Sequence, residues 1–152
     1  MNNLRESVVD LFEELTRGPA SGRASVTTTS FADHDQVDLN PSNPRAARIR
    51  AMLAKDASQG ITLVIGRGTI LEIPENGGRY TENHSAIDEA RTISKAVAGG
   101  RFKERVRINS ENRVVSSIGA IDIPPLVTVR WRRLFVNPLR RTTREFLEYE
   151  PY

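Results

Sequence analysis

Cysteine is absent from this 152-residue chain. That excludes a disulfide scaffold, thiolate zinc sites, iron–sulfur ligation and every cysteine nucleophile. Long hydrophobic runs are missing too: no stretch approaches the ~20 apolar residues that cross a bilayer. The first seventeen residues alternate Glu, Asp and Arg with apolar positions instead of forming the apolar centre of a signal peptide. A soluble, cytoplasmic protein with no membrane partner is the expectation. No internal repeat or low-complexity tract is present. At 17.0 kDa the chain is long enough for one α+β domain over 1–152, with a core that needs neither metal nor disulfide in order to fold.

What is present is an uneven charge. The formal net charge is +3, yet residues 1–90 hold nine Lys or Arg against thirteen Asp or Glu, and residues 91–152 hold thirteen against six. Such asymmetry suits an acidic partner, a phosphate backbone or a second copy of the chain. Nineteen of the 22 basic residues are arginine. Its planar fork matches carboxylates and phosphates, although a GC-rich coding bias produces the same preference.

Leu4, Val8, Leu11, Phe12 and Leu15 recur at three- and four-residue steps, which predicts an amphipathic helix ended by Gly18 and Pro19. Ser25–Ser30 reads as a short strand. Asp33–Pro44, with three Asp, two Asn and two Pro, reads as a surface loop. A second helix is expected from Pro44, burying Ala47, Ile49, Met52 and Leu53 and stopping before Gly60. Ile61–Ile65 and Thr69–Ile73 flank Gly66, Arg67 and Gly68 as a hairpin, its first strand covered on both faces. A third helix starts at a Ser85 cap, with Asp88 three residues on, and ends at Gly99 and Gly100.

From Phe102 the period becomes two. Phe102, Val106 and Ile108 point one way, and Lys103, Arg105 and Arg107 the other. After a turn at Asn109–Asn112, Arg113–Ile118 should return antiparallel. Leu126–Val136 is expected as the longest strand, with Val127, Val129, Trp131 and Phe135 on one face and Thr128, Arg130, Arg132 and Leu134 on the other. Thr142–Tyr149 reads as a closing helix anchored by Phe146, Leu147 and Tyr149. The fold expected is α+β: an antiparallel or mixed sheet of about five strands with three main helices packed mostly on one side. Parallel strands joined by helical crossovers are the alternative.

The foremost candidate site is the alternating basic ladder of Lys103, Arg105, Arg107, Arg130 and Arg132. If these residues share one sheet face, they form a surface for an anion or an acidic partner. The plain alternative is a solvated face of an antiparallel sheet. Trp131 and Phe135 alternate away from the arginines, so no aromatic stacking platform is expected among the charges.

Asp33, His34, Asp35 and Asp38 are the densest set of oxygen and nitrogen ligands, but their spacing fails an EF-hand loop, and local Asx hydrogen bonds account for them. The His34–Asp35 pair resembles that of HD-type phosphohydrolases, which need more histidines than His84 adds. His84, Ser85 and Asp88 read as a helix cap, not a triad. Gly66–Gly68 lacks the third glycine and following helix of a dinucleotide loop. Glu148 and Glu150, with Ser116 and Ser117 upstream, resemble the Glu-x-Glu pair of ADP-ribosyltransferases over too short a match to carry an activity.

With no metal site, cofactor loop or convincing catalytic motif, the sequence favours a non-catalytic module that binds a protein partner or itself, with a homo-oligomer as one form. A nucleic-acid-binding protein using the basic face comes second, and an enzyme with a dispersed polar site third.

Overall fold

The computed structural model describes residues 3–18, 21–56, 60–123, 127–132 and 141–152, with backbone alone at 131 and 132. It is mixed α+β. Among the described residues are two helices, α1 (Leu4–Arg17) and α2 (Ala86–Ala98), and nine strands in two antiparallel sheets. The first sheet runs in simple meander order: β1 (Ala24–Ser30), β2 (His34–Pro41), β3 (Ile49–Ala54), β4 (Ile61–Ile65) and β5 (Thr69–Ile73). The second has the order β8 (Val127–Arg132), β7 (Val114–Ile121), β6 (Phe102–Ile108) and β9 (Thr143–Glu148). No described helix is long and apolar enough to span a membrane.

Both helices form where their apolar periodicity lies. Asn3 caps α1 through its side chain and the amide of Arg5, and Val8, Leu11, Phe12 and Leu15 form the buried stripe. Ser85 caps α2: its hydroxyl accepts from the Asp88 amide at 3.2 Å and donates to the Asp88 carboxylate at 2.8 Å. Gly100, at φ 76°, takes the left-handed conformation that lets the chain leave this helix. The hairpin at 66–68 and the turn at 109–112 form as expected. In the latter, Asn109 accepts from the amides of Glu111 and Arg113, and Asn112 sits at φ 58°.

Three segments take a form other than the one expected. Asp33–Pro44 is not a loop, because most of it is β2. Val37 and Leu39 are fully buried, and Asp38, between them on the opposite face, accepts from Arg50 at 2.9 Å, Arg48 at 3.1 Å and Gln36 at 2.6 Å. Paired carboxylates and cross-strand neighbours on both sides remove the penalty that made the segment look irregular. The expected helix after Pro44 is β3, where Ile49, Ala51 and Leu53 are buried on a two-residue beat between β2 and β4. Thr142–Tyr149 is not helical either, since β9 pairs antiparallel with β6. The expected count of three helices over one sheet of about five strands therefore becomes two helices with sheets of five and four. β4 is the penultimate strand of its sheet, with Thr62 and Val64 half-exposed, so it is not enclosed on both faces. No parallel ladder joins the named strands. Of the expected longest strand, residues 133–136 lie outside the described residues; so do Leu134 and Phe135, and the side chains of Trp131 and Arg132.

One core is shared by α1, α2 and the inner faces of both sheets, running from Leu11 and Phe12 through Ile49, Leu63 and Ile93 to Phe102, Ile121 and Val129. The sheets meet where β5 touches β7 and β8. Close approach is built in at Gly119, where a Cβ would stand 2.5 Å from the Thr69 methyl. Beside it, Glu104, on the inward side of β6 and 3% exposed, accepts from the Arg67 amide at 2.5 Å, the Thr69 hydroxyl at 2.8 Å and the Tyr149 hydroxyl. The chain's end closes over the same core. Tyr152 is buried, donates its hydroxyl to the Ala47 carbonyl at 2.6 Å, and pairs its amide with Ala98.

Glu104→Gln should lower stability by about 1–3 kcal/mol, because a buried acceptor of three hydrogen bonds becomes in part a donor facing donors. Gly66→Ala should destabilise as well: φ is 63° there, and a Cβ would stand 2.5 Å from the Glu104 carboxylate. Urea unfolding of both variants tests this, and native midpoints would refute a role for Glu104 in joining the sheets. Burial first, and the hydrogen bond to Glu104 second, push the Tyr149 hydroxyl above its ordinary value of 10.0. The stability tied to this proton is thus complete below pH 10.0 and is lost as pH rises past it, because the unfolded chain ionises first. Between about pH 8 and about pH 11, the unfolding midpoint should fall less for Tyr149→Phe than for the native chain.

Candidate functional site

Alternation in β6 is set by its inward residues. Phe102, Glu104, Val106 and Ile108 are buried, so Lys103, Arg105 and Arg107 face solvent. β7 lies on one side of β6 and β9 on the other, with β8 beyond β7. The register then writes rows across the outer face. One row reads Arg130, Ile118, Arg105, Phe146; the next reads Arg132, Ser116, Arg107, Arg144; a third reads Thr128, Ala120, Lys103, Glu148. Lys103, Arg105, Arg107 and Arg130 thus occupy one face, and the backbone of Arg132 holds the adjoining register position. With strands ~4.8 Å apart, long arginine side chains from neighbouring strands reach a common space. Arg105, Arg107, Arg130 and Arg144 line, with Ser116 and Ile118, a shallow hollow of about 330 Å³.

Arginines without a carboxylate partner are gathered on this face: four of them line one hollow, whereas Arg5, Arg101 and Arg141, which also lack an ion pair among the described residues, do not line it. Elsewhere arginine is commonly matched: Arg17 with Glu13, Arg45 with Glu150, Arg67 with Glu145 and Arg91 with Asp88. On the outer face Lys103 pairs with Glu148 at 3.4 Å. Among the described residues, no carboxylate stands within ion-pair distance of Arg105, Arg107, Arg130 or Arg144. Arg107 and Arg144 are moreover direct cross-strand partners, an arrangement of like charges that weakens a sheet.

Phe146 stands among these cations. It is 74% exposed, and the guanidinium of Arg105 lies 6.0 Å from its ring centre. The expectation that no aromatic belongs to the basic face is corrected here. Reading 142–149 as a helix concealed it, yet the alternation of Glu145 and Leu147 with Arg144, Phe146 and Glu148 was there to be read as a strand. Around Phe146 a second, more apolar hollow of about 340 Å³ is lined by Ile118, Ala120 and Leu147, with Lys103, Glu104, Arg105 and Glu148 also bordering it. The two hollows share Arg105 and Ile118.

The other candidates are held in structural contacts. At the β1–β2 turn, His34 stacks on Phe31 with ring centres 4.6 Å apart and bonds Asp33 at 2.7 Å, and Asp35 accepts from Ser30 at 2.6 Å. The hydrogen bond to His34 pulls Asp33 below the usual carboxylate range, and that to Ser30 does the same for Asp35. Asp38 is taken up by Arg48 and Arg50, and no group of three or more potential metal ligands occurs among the described residues. Ser85 and Asp88 cap α2. Ser117 donates inward to the Gly68 carbonyl at 2.9 Å, while Ser116 faces outward. Glu148 pairs with Lys103; Glu150 bonds Asn43 and Arg45, which lower its pKa in that order. These residues do not gather into a catalytic cleft. Glu104 escaped the sequence reading, although alternation places it on the inward beat, where a carboxylate must find donors.

Comparisons with protein-family models, with curated proteins and with solved structures find no match to this chain.

The like-charge pair carries its own test. Arg144→Glu puts a carboxylate opposite Arg107 and should raise stability, by an amount on the order of 0.5 kcal/mol. A lower thermal midpoint for this variant would show that the pair is not frustrated.

Proposed function

We propose that the protein binds nucleic acid through the outer face of the β8-β7-β6-β9 sheet. The observation that carries this reading is the set of four arginines, from the three strands β6, β8 and β9, that share one hollow with no carboxylate among its described lining residues. A face whose only role is to be solvated is better served by mixed signs, and the cross-strand Arg107–Arg144 pair is a stability cost that a phosphate backbone would relieve. Arginine forks suit phosphate oxygens, and exposed Phe146 offers a ring to a base. A cytoplasmic setting accompanies this reading. The protein-binding or self-assembling module that the sequence alone favours is the second reading, supported by the same surplus of positive charge, with an acidic partner or an acidic region of another copy as the occupant.

With about four phosphate contacts, raising salt from about 50 mM to about 200 mM should weaken binding roughly 50- to 150-fold. Arg105→Glu combined with Arg107→Glu should reduce affinity at least about tenfold at low salt. Arg17→Glu with Arg79→Glu, the same charge change on other surfaces, should not. Fluorescence anisotropy with labelled DNA and RNA, single- and double-stranded, measures both effects. Absence of binding to all four at low salt would overturn this reading in favour of a protein partner.

A further inference from the structure

We infer that this face selects single-stranded over duplex nucleic acid, with an unpaired base stacked on Phe146 and the adjoining phosphates held by Arg107, Arg130 and Arg144. The inference rests on the nucleic-acid reading and adds to it the form of the strand. Three observations lead to it.

The first is shape. Reading a duplex in its major groove takes a protruding helix or two-stranded ribbon, and among the described residues neither helix stands on this face. α1 contacts β1, β2, β3 and α2, while α2 reaches β4, β5 and β7 from the core. What remains is a four-stranded surface with shallow hollows.

The second is the position of the aromatic. Phe146 is in the central part of β9, in the same row as Arg105 and Ile118, and most of its surface is open to water. In a duplex both faces of every base are covered by stacking, so only an unpaired or extruded base can lie on this ring. The Arg105 guanidinium already flanks the ring and is placed to cover an inserted base with a second planar group, this one a cation.

The third is division of labour between adjoining hollows. The one around Phe146 is bounded by Ile118, Ala120 and Leu147, with Glu148 at its edge paired to Lys103, and suits the apolar face of a base more than a phosphate. Its neighbour is bounded by arginines and suits phosphate. A single strand can turn its bases toward one and its backbone toward the other; a duplex presents backbone alone to a flat surface. Stacking reads the π-face of any base, so the preference should tolerate sequence.

The test uses three probes of equal length on the full chain at low salt: a ten-residue oligothymidylate, the same strand paired with its complement, and an abasic strand of the same charge. The native protein should bind the oligothymidylate at least about tenfold more tightly than the abasic strand or the duplex. Phe146→Ala should bring the oligothymidylate down to the abasic level and leave duplex binding unchanged, while Phe146→Tyr keeps the preference. Because Phe146 is 74% exposed, its truncation should leave the thermal midpoint near native, which a melting curve verifies. Equal binding of all three probes, insensitive to Phe146→Ala, overturns single-strand selection and leaves the nucleic-acid reading in place. Failure of all three to bind removes both.

Discussion

A buried carboxylate holds the two sheets in register with one another. Glu104 projects inward from β6 and accepts from the amide of Arg67 and the hydroxyl of Thr69, both in the first sheet's hairpin, and from the hydroxyl of Tyr149, just past β9. A charge taken out of water is tolerated only when such donors surround it. The donors come from two separate parts of the chain, the 66–69 hairpin and the residue after β9, so satisfying Glu104 on β6 fixes the relative positions of all three segments. Gly66 is required at the turn because any larger residue would occupy the space of the carboxylate and of the Tyr149 hydroxyl. Arg67, whose amide serves the lock, sends its guanidinium to Glu145 on β9 at 3.0 Å. Glu145 is thus committed on its side of β9, and Arg144 and Phe146, on the alternate positions, face out.

The outer surface therefore follows from the inner one. Once Phe102, Glu104 and Val106 are committed to the core, Lys103, Arg105 and Arg107 can go nowhere but solvent. Pairing with β7 and β9 then determines which side chains stand beside them. Many charged groups among the described residues are arranged to neutralise one another, as where Asp38 is held by Arg48 and Arg50, or Glu14 lies near Arg91 and Lys95. The outer face of the second sheet instead gathers Arg105, Arg107, Arg130 and Arg144 around one hollow. Local conflict in an otherwise consistent structure is characteristic of positions kept for binding, since a partner's charge removes the conflict when it arrives.

The segments misread from sequence share one physical cause. In Ile49–Ala54 the composition is rich in Ala, Met and Leu, which favour helix, while the same residues alternate in the way a strand needs; flanking strands decided between the two. His34–Pro41 carries the polar residues of a loop, but Asp35, Asp38 and Asn40 find partners in Ser30, Arg50 and Thr27 once β1 and β3 are alongside. Thr143–Glu148 pairs with β6, some forty residues earlier in the chain, and no local pattern reports so distant a neighbour. Helices α1 and α2, whose hydrogen bonds close within the segment, were legible, α2 down to its Ser85 cap, whereas the Asn3 cap of α1 was not read.

By itself the sequence determined whatever depends on short range: the two amphipathic helices, the glycine hairpin at 66–68, and the two-residue beat that sends Lys103, Arg105 and Arg107 to one side. It also determined the excess of positive charge in the last third of the chain. Tertiary structure alone decided that Arg130 and Arg144 join those three residues, that Phe146 stands exposed among them, and that Glu104 becomes the lock between sheets. Alternation states which face a side chain takes within its own strand, whereas the identity of its neighbours depends on strand order and register, which are settled by burial across the whole core.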